Sequence, residues 1–383
     1  MTDPRERLGL WGFYNPVQVM FGNGTLEKLP EVVAKRRVLL VTTSGFTRRG
    51  VTSKVIQMLE PNVVHVLDDV RANPDVSDLE DREQTVRELG IEVIVALGGG
   101  SVIDTGKVLS AVIGLDRKDR RLRERLGRGE LNERDRRIPV VALPTTAGTG
   151  SEVTPFATVW ERRSKKKYSM SGRSLFPETA IVDPLLTLSL PRESTLAAAL
   201  DAVSQAFEAI WNRNANPITS LYATESLRIS LSTIEALVEN LDARELRTKM
   251  AYASLLAGLA ISHTRTALAH SMSYPLTLHF GVPHGLACSF SLPAILELNA
   301  RADDGRLAKL AHALGFLDTH ALVDHLDNLM HRLRIKEWLM EYVPSVQALC
   351  TLIDEMFAPD RVTNNLVSVN HETVEAVLRR SLS

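Results

Sequence analysis

The sequence predicts an α/β N-terminal half built on a parallel sheet, followed by an all-α C-terminal half. Three observations carry this. Short apolar runs alternate with helix-period patterns as far as Asp183-Pro184, which is the signature of βαβ units. One of those runs, Ile91 to Leu97, stops at Gly98-Gly99-Gly100, and a helical pattern opens after Ser101. From Pro191 onward the periodicity is helical throughout, so the boundary is expected near 190, dividing the chain into 1–190 and 191–383.

Composition sets the outer bounds. A chain of 383 residues can bury two cores, and 44% apolar with 24% charged residues is ordinary for a globular protein. The formal net charge of −1 gives no pull toward nucleic acid or an anionic membrane. Cys288 and Cys350 are too few for a disulfide framework or a cysteine zinc site. Met1 to Gly9 is charged and lacks an apolar core, and no run reaches the roughly 18 apolar residues of a membrane span. A cytoplasmic protein with neither a nucleic-acid nor a membrane partner is expected.

Taken in order, residues 14–30 read as a hairpin-like lead-in with Gly22-Asn23-Gly24 at the turn, and a helix follows through Val33. Arg37 to Thr42 is a buried strand, with a turn at Thr43-Ser44-Gly45 and a helix from about Ser53 to Leu59. Val63 to Leu67 is the next strand. Asn73-Pro74 breaks the chain, and Ser77 is placed as the N-cap of a helix running to Leu89. Strand 91–97, the glycine turn and a helix to Ile113 come next. Residues 116–137 mix both charge signs without aromatics and read as a solvated helical excursion. Strand 138–143 then runs into Pro144-Thr-Thr-Ala-Gly-Thr-Gly-Ser-Glu152.

Two features of the first half suit a phosphate-bearing ligand. A strand–glycine–helix junction offers free backbone N–H groups and the positive end of a helix dipole, and glycine lets the backbone approach closely. Gly98 to Ser101 and Thr43 to Gly45 both fall at carboxyl ends of predicted parallel strands, where such sheets bind ligands, so the two are expected to face one dinucleotide. The hydroxyl-rich loop at 144–152 suits a ribose, a phosphate or a tight sheet corner. Lys165-Lys166-Lys167 reads as a solvated loop or as a cation near phosphate.

In the second half, Asp201 and Gln205 stand four apart on one helical face. With His270 and His284 they offer one carboxylate, one amide oxygen and two imidazoles, a set able to hold a divalent metal with a position open for substrate. His263, His279 and Tyr274 are equally open as ligands, acids or packing. A helix there would put His263, His270 and Tyr274 on one side.

Together, Gly-Gly-Gly-Ser-Val-Ile-Asp-Thr-Gly-Lys107, Pro144-Thr-Thr-Ala-Gly-Thr-Gly-Ser-Glu152 and His284-Gly-Leu-Ala-Cys288 resemble the iron-containing alcohol dehydrogenase family, in order over about residues 14–300. The resemblance implies a Rossmann-like dinucleotide-binding domain plus an all-α domain (the dehydroquinate synthase-like fold), with NADP(H) or NAD(H) and a divalent metal in the cleft. Fe2+ is the expected metal and Zn2+ the alternative. Carried over residue by residue, Gly98, Gly99, Gly100 and Ser101 would hold the pyrophosphate. Thr145, Thr146 and Lys167 would lie along the nicotinamide half, with Asn73 and Asp104 at the cleft. Asp201, His270 and His284 match three of the four family metal ligands.

The departures are informative. Gln205 stands where the family has a histidine ligand, so a metal-independent reductase resembling the maleylacetate reductases is an alternative. Tyr274 replaces a proton-passing histidine; it, His279 or water is expected to supply the proton. Thr43 stands where NAD-using members carry an acidic residue, and with Arg48 and Arg49 nearby this favours NADPH. Arg265 within Thr264-Arg-Thr-Ala-Leu-Ala-His270 resembles the branch that reduces phosphonoacetaldehyde, because a guanidinium can grip two oxygens of a phosphonate or sulfonate. Sulfoacetaldehyde, a short aliphatic aldehyde, or a non-catalytic dinucleotide-binding role remain the alternatives. A homodimer is the expected assembly.

Overall fold

Six strands form one sheet in the order β1-β8-β5-β4-β2-β3, and every neighbouring pair is parallel. They are β1 (Gln18–Phe21), β2 (Val38–Val41), β3 (Val63–Leu67), β4 (Val93–Gly98), β5 (Val140–Pro144) and β8 (Thr179–Val182). An antiparallel hairpin of β6 (Phe156–Glu161) and β7 (Lys166–Ser171) stands apart from the sheet. The computed structural model describes residues 10–113, 122–126, 137–164 and 166–382. Of the excursion expected at 116–137 only Leu122–Leu126 and Arg137 fall within that range, and Lys165 and residues 1–9 lie outside it.

The central strands β2, β4, β5 and β8 are buried along their whole length, which is why they read as unbroken apolar runs and not as alternating ones. The helices of this half are α1 (Leu29–Val33), α2 (Ser44–Arg48), α3 (Val51–Leu59), α4 (Val76–Glu88), α5 (Gly100–Ile113) and α6 (Leu122–Leu126). From β2 the chain crosses to β3 on one side, and β4 then pairs with β2 on the other. The strand order therefore reverses between β2 and β4, and the crevice outside their carboxyl ends opens between Thr43 and Gly98.

Three local expectations are corrected. The lead-in at 14–30 is no hairpin: β1 pairs with β8, more than 150 positions away, and Gly22 and Gly24, both at positive φ, turn the chain into a helical segment instead. Asp75, not Ser77, caps α4. Its carboxylate accepts from the Ser77 N–H at 2.9 Å and from the Arg162 N–H at 2.9 Å, so one buried side chain caps the helix and anchors the hairpin end. Thr43-Ser44-Gly45 is the start of α2, with Thr43 at its N-cap, and α3 begins at Val51.

The second half comprises α7 (Arg192–Ile210), α8 (Pro217–Glu239), α9 (Arg244–Thr264), α10 (Leu268–Phe280), α11 (His284–Ser289) and α12 (Leu292–Ala300). It continues with α13 (Arg306–Ala313), α14 (Thr319–Arg332), α15 (Ile335–Met340), α16 (Val346–Cys350), α17 (Pro359–Val362) and α18 (His371–Leu382). Every residue of α7 from Ala199 to Ile210 is buried, so this helix is the axle on which the others pack. No helix among the described residues is long and apolar enough to cross a membrane.

The two halves meet through backbone. A Cβ on Gly150 would lie 2.4 Å from the Gly258 Cα, and one on Gly148 would lie 2.6 Å from the Ala198 carbonyl oxygen. Within the helical half, a Cβ on Gly285 would lie 1.7 Å from the Ala197 carbonyl oxygen. These contacts admit no side chain. Gly285→Ala forces α11, which carries His284, away from α7, which carries Asp201. We expect a loss of about 3 kcal/mol, read as a fall of roughly 6–12 °C in the midpoint of thermal unfolding. A melt superimposable on that of the unaltered protein would show that the two helices can separate freely.

Candidate active site

One cavity of about 600 Å³ runs from the crevice between β2 and β4 to the inner face of α7 and α10. At its sheet end, α5 starts at Gly100 immediately after β4, so its N-terminus and the turn before it face the cavity. A Cβ on Gly98 would strike Val102 at 2.4 Å and one on Gly100 would strike Thr149 at 2.8 Å. Glycine there brings the helix start close to the loop after β5. Ser101 Oγ accepts from the Asn73 N–H at 3.2 Å, and Asn73 holds the left-handed φ of 59°. Thr43, Asn73, Gly99, Gly100, Ser101 and Thr146 face the cavity. Thr145 does not: it is buried, and its N–H donates to the Gly98 carbonyl at 3.1 Å, making it a splice between β5 and β4. Gly98 is likewise the last residue of β4, behind the turn.

The loop after β5 is held by a buried lysine. Lys107 on α5 donates to the carbonyls of Thr154 (2.9 Å) and Phe156 (2.7 Å) and to Ser151 Oγ (3.0 Å). Burial brings its pKa down to about 8, against the opposing pull of Asp104 and Glu152. Asp104, one turn earlier, accepts from Ser151 Oγ at 2.6 Å and from the Thr158 N–H at 2.8 Å. Lys107 and Asp104 thus fasten both the loop and the hairpin to the helix that opens at the glycine turn.

At the far end, α7 presents Asp201, Gln205 and Glu208 on one face, spaced by four and seven residues. His270 Nε2 lies 3.3 Å from Asp201 Oδ1, and its Nδ1 lies 2.6 Å from Glu208 Oε2. The His270 backbone N–H donates to the other Glu208 oxygen at 3.2 Å, so Glu208 fixes both the ring and the helix start. The His284 ring stands 5.3 Å from the His270 ring, centre to centre. Burial opposes charging of His270, but Glu208 and Asp201 outweigh it and raise its pKa to about 10. His284, buried and next to that charge, is pushed down to about 4.

These residues fit a divalent metal. Ligand atoms of Asp201, His270, His284 and Cys288 all lie within 4.8 Å of one another. Gln205 donates through Nε2 to Asp201 Oδ1 (3.1 Å) and the Thr149 carbonyl (3.2 Å), which leaves its buried Oε1 without a protein partner. An orphaned buried oxygen costs free energy unless something satisfies it. His270, held at Nδ1 by a carboxylate, has the arrangement common to metal-ligating histidines. Cys288, four residues after His284, places Sγ 3.7 Å from Asp201 Oδ1 and was not anticipated as a neighbour of this cluster.

The wall between the two ends is cationic and aromatic. Tyr274, one turn after His270, has Lys167 Nζ 3.3 Å from its ring centre and accepts at Oη from Arg361 Nε at 3.1 Å. Burial pushes the Tyr274 phenol up, but Arg361, Lys167 and His270 overcome this and bring it down to about 8. Arg265 closes α9 at φ 63°, a strained backbone for a side-chain-bearing residue. Asn212 Nδ2 and Thr264 Oγ1 hold its carbonyl at 3.2 and 2.9 Å, and its guanidinium reaches Ser171 Oγ at 3.3 Å.

Two expected residues fall elsewhere. His279 pairs with Glu355 at 2.7 Å and does not line the cavity, because α10 turns it to the opposite side. His263 belongs to α9, before the chain breaks at Arg265. Its ring meets the Tyr14 backbone at 2.9 Å, so no single helix aligns it with His270 and Tyr274. Arg48 and Arg49 face Ser44 and the Phe46 ring, whereas Arg71 and Thr43 both line the cavity. Glu208, at the i+7 position after Asp201, was legible as the same helix face. Arg361 carried no local signal.

A glycine turn at a strand reversal, a buried His–carboxylate cluster and one cavity joining them suit a dinucleotide-dependent enzyme with a metal beside its cofactor site. Residues 16–184 match the model of the iron-containing alcohol dehydrogenases, and residues 195–382 match that of the Fe-containing alcohol dehydrogenase C-terminal region. The chain belongs to the iron-containing alcohol dehydrogenase family. Among its relatives, phosphonoacetaldehyde reductase from Streptomyces viridochromogenes is 31% identical over 289 residues, 75% of this chain and 71% of that one. Alcohol dehydrogenase 4 of Schizosaccharomyces pombe is 28% identical over 97% of this chain and 89% of its own. The crystal structure of sulfoacetaldehyde reductase from Bifidobacterium kashiwanohense in complex with NAD+ superposes with a TM-score of 0.88 at 30% identity, covering 98% and 99% of the two chains.

Glu208→Gln keeps the size of the side chain and removes the charge that orients His270. Metal affinity, measured by competition with a chelator and by metal content after dialysis, should fall about 10–100-fold while the thermal melt remains cooperative. Unaltered affinity would remove Glu208 from any role at the metal.

Proposed function

We propose that the protein is an NAD(P)H-dependent reductase of a small anionic aldehyde, phosphonoacetaldehyde foremost, giving 2-hydroxyethylphosphonate. The observation that carries this reading is Arg265. It is held in a strained backbone conformation by two hydrogen bonds, and it lines the same cavity as Asp201, His270 and His284. Strain of this kind persists where the surroundings over-determine it, most often at a site of binding or catalysis. Relatives that act on phosphonoacetaldehyde and sulfoacetaldehyde support the same substrate class.

Asp201, His270 and His284 would hold the divalent metal, with Gln205 Oε1 or Cys288 Sγ as the fourth donor. When bound, the metal supplies Lewis-acid polarisation of the carbonyl, and the reduced dinucleotide supplies the hydride. The protein's own part begins with the cofactor. The N-terminus of α5 with Gly99, Gly100 and Ser101 would take the pyrophosphate, and Asn73, Asp104, Thr146 and Lys167 would flank the nicotinamide half. Thr43 lacks the negative charge that would repel a 2′-phosphate, and Arg71 lines the same cavity, so NADPH is the proposed preference.

Arg265 would fix the anionic headgroup and so aim the carbonyl carbon at the cofactor. Tyr274 then gives its phenolic proton to the substrate oxygen as the C–H bond forms. The phenolate left behind faces Lys167 and Arg361, which hold it until solvent returns a proton.

The test is NADPH and NADH oxidation with phosphonoacetaldehyde beside an uncharged aldehyde of similar size. The phosphonate should be preferred in kcat/KM, and Arg265→Ala should reduce that preference about 10–100-fold, as loss of a charge-assisted fork implies. Equal rates on both aldehydes would make this a general aldehyde reductase. The proton step has its own signature. Tyr274 must be protonated to donate, so reduction should proceed below its pKa of about 8 and decline as pH rises through it. In Tyr274→Phe the rate should fall and that alkaline limb should vanish; an unchanged limb would assign the proton to another group.

A further inference from the structure

Among the described residues, two acidic side chains line the cavity, and both are engaged. Asp104 accepts from Ser151 and Thr158, and Asp201 meets His270 and Gln205. Four lysine and arginine residues line the same cavity, Arg71, Lys167, Arg265 and Arg361, and Lys167 and Arg361 both meet Tyr274. Arg361 belongs to α17, far beyond the motifs of the sequence. Its Nε donates to Tyr274 Oη, and Tyr274 follows His270 by one turn, so Arg361 stands at the reacting end and not at the glycine turn.

The segment that carries Arg361 is pinned on both sides. Before it, the Ala358 N–H donates to Ser271 Oγ at 2.9 Å, and Ser271 adjoins His270. After it, Asn364 Nδ2 donates to the Thr266 carbonyl at 2.9 Å, and Thr266 adjoins Arg265. The backbone around Arg361 is therefore tied to the neighbours of a metal-site histidine and of the other guanidinium. Such anchoring limits the ordering cost when an anion is taken up.

We propose that Arg361 is a specificity residue for a doubly charged headgroup, sharing a phosphonate with Arg265 so that phosphonate is preferred over sulfonate. The proposal rests on the anionic-aldehyde reading above and adds the residue that distinguishes two anions of similar shape. A sulfonate carries a single charge, which one guanidinium can neutralise. A phosphonate near neutrality can carry two, and a second guanidinium then adds another charge-assisted pair. For a sulfonate the same second guanidinium gains little. Because Arg361 also touches Tyr274, headgroup recognition and the proton donor share one side chain.

The test is steady-state kinetics of the holoenzyme on phosphonoacetaldehyde, sulfoacetaldehyde and an uncharged aldehyde of similar size, in the unaltered protein, Arg361→Gln and Arg361→Lys. Each anion is read as the ratio of its kcat/KM to that of the uncharged aldehyde, so that effects common to all substrates cancel. In Arg361→Gln the phosphonate ratio should fall about tenfold or more and the sulfonate ratio less than about threefold; Arg361→Lys should recover part of the phosphonate ratio. Thermal melts and NADPH affinity, by nicotinamide fluorescence, establish that each variant is folded and binds cofactor. Equal falls for both anions, with the unaltered protein still favouring them, would overturn the role of Arg361 and leave the anionic-aldehyde reading standing. A loss confined to NADPH affinity would overturn it by assigning Arg361 to the cofactor. No anion preference in the unaltered protein would overturn both.

Discussion

The close backbone approach at Gly148, Gly150 and Gly258 is the constraint on which the rest depends. A cavity lined by a glycine turn at one end and a buried histidine cluster at the other needs two different layers in direct contact. Side chains between them would hold the layers apart. The chain meets the requirement with glycines in the loop after β5 and alanines on α7, so that main chain meets main chain. The same loop reaches Gln205 through the Thr149 carbonyl and reaches Lys107 through Ser151 and Thr154. One short segment therefore sets the distance between the glycine turn and the donor cluster.

Electrostatics follow from that burial. Asp201, Glu208 and His270 are all nearly or wholly removed from water, where separate charges would be costly. Their solution is a chain in which Glu208 holds Nδ1, Asp201 meets Nε2, and His270 carries the positive charge between them. A cation bound at the Nε2 side would take over the role of that proton, which is why metal binding at such a site releases one. His284, left neutral by the same field, is in the form that can ligate.

Much of this was legible before the structure, and the boundary of what was legible has a physical cause. The buried strands β2, β4 and β5 were readable because parallel central strands show as uninterrupted apolar runs. The glycine turn was readable because strand, glycine and helix start are adjacent in sequence. Asp201 with His270 and His284 came from residue chemistry and family resemblance. What escaped was either short and non-local or polar in an ordinary way. β1 looked like half of a hairpin because Gly22-Asn23-Gly24 is a strong local turn signal, while its true partner lies at the end of the α/β half. β6 and β7 are half-polar and stand outside the sheet. Arg361 sits in a four-residue helix with no motif around it, and its place is seen in the structure from the cavity it lines and its hydrogen bond to Tyr274. His279 failed for the opposite reason: it was close in sequence to the right residues, but the turn of α10 carries it to the other face.

The pairing of β1 with β8 has a consequence for how the molecule comes into being. Strands β2 to β5 can associate as the chain emerges, but β1 must wait for β8 (Thr179–Val182), and until then β5, the other neighbour of β8, presents an open edge of parallel sheet. Pairings of such long sequence separation are slow to form, because the loop-closure entropy is lost before the contacts compensate for it. The six-stranded sheet is thus completed only when synthesis has reached the threshold of the helical half. During that interval the nascent chain is most exposed to mispairing, and this is the stage of biogenesis at which protection of the edge by a chaperone would matter most.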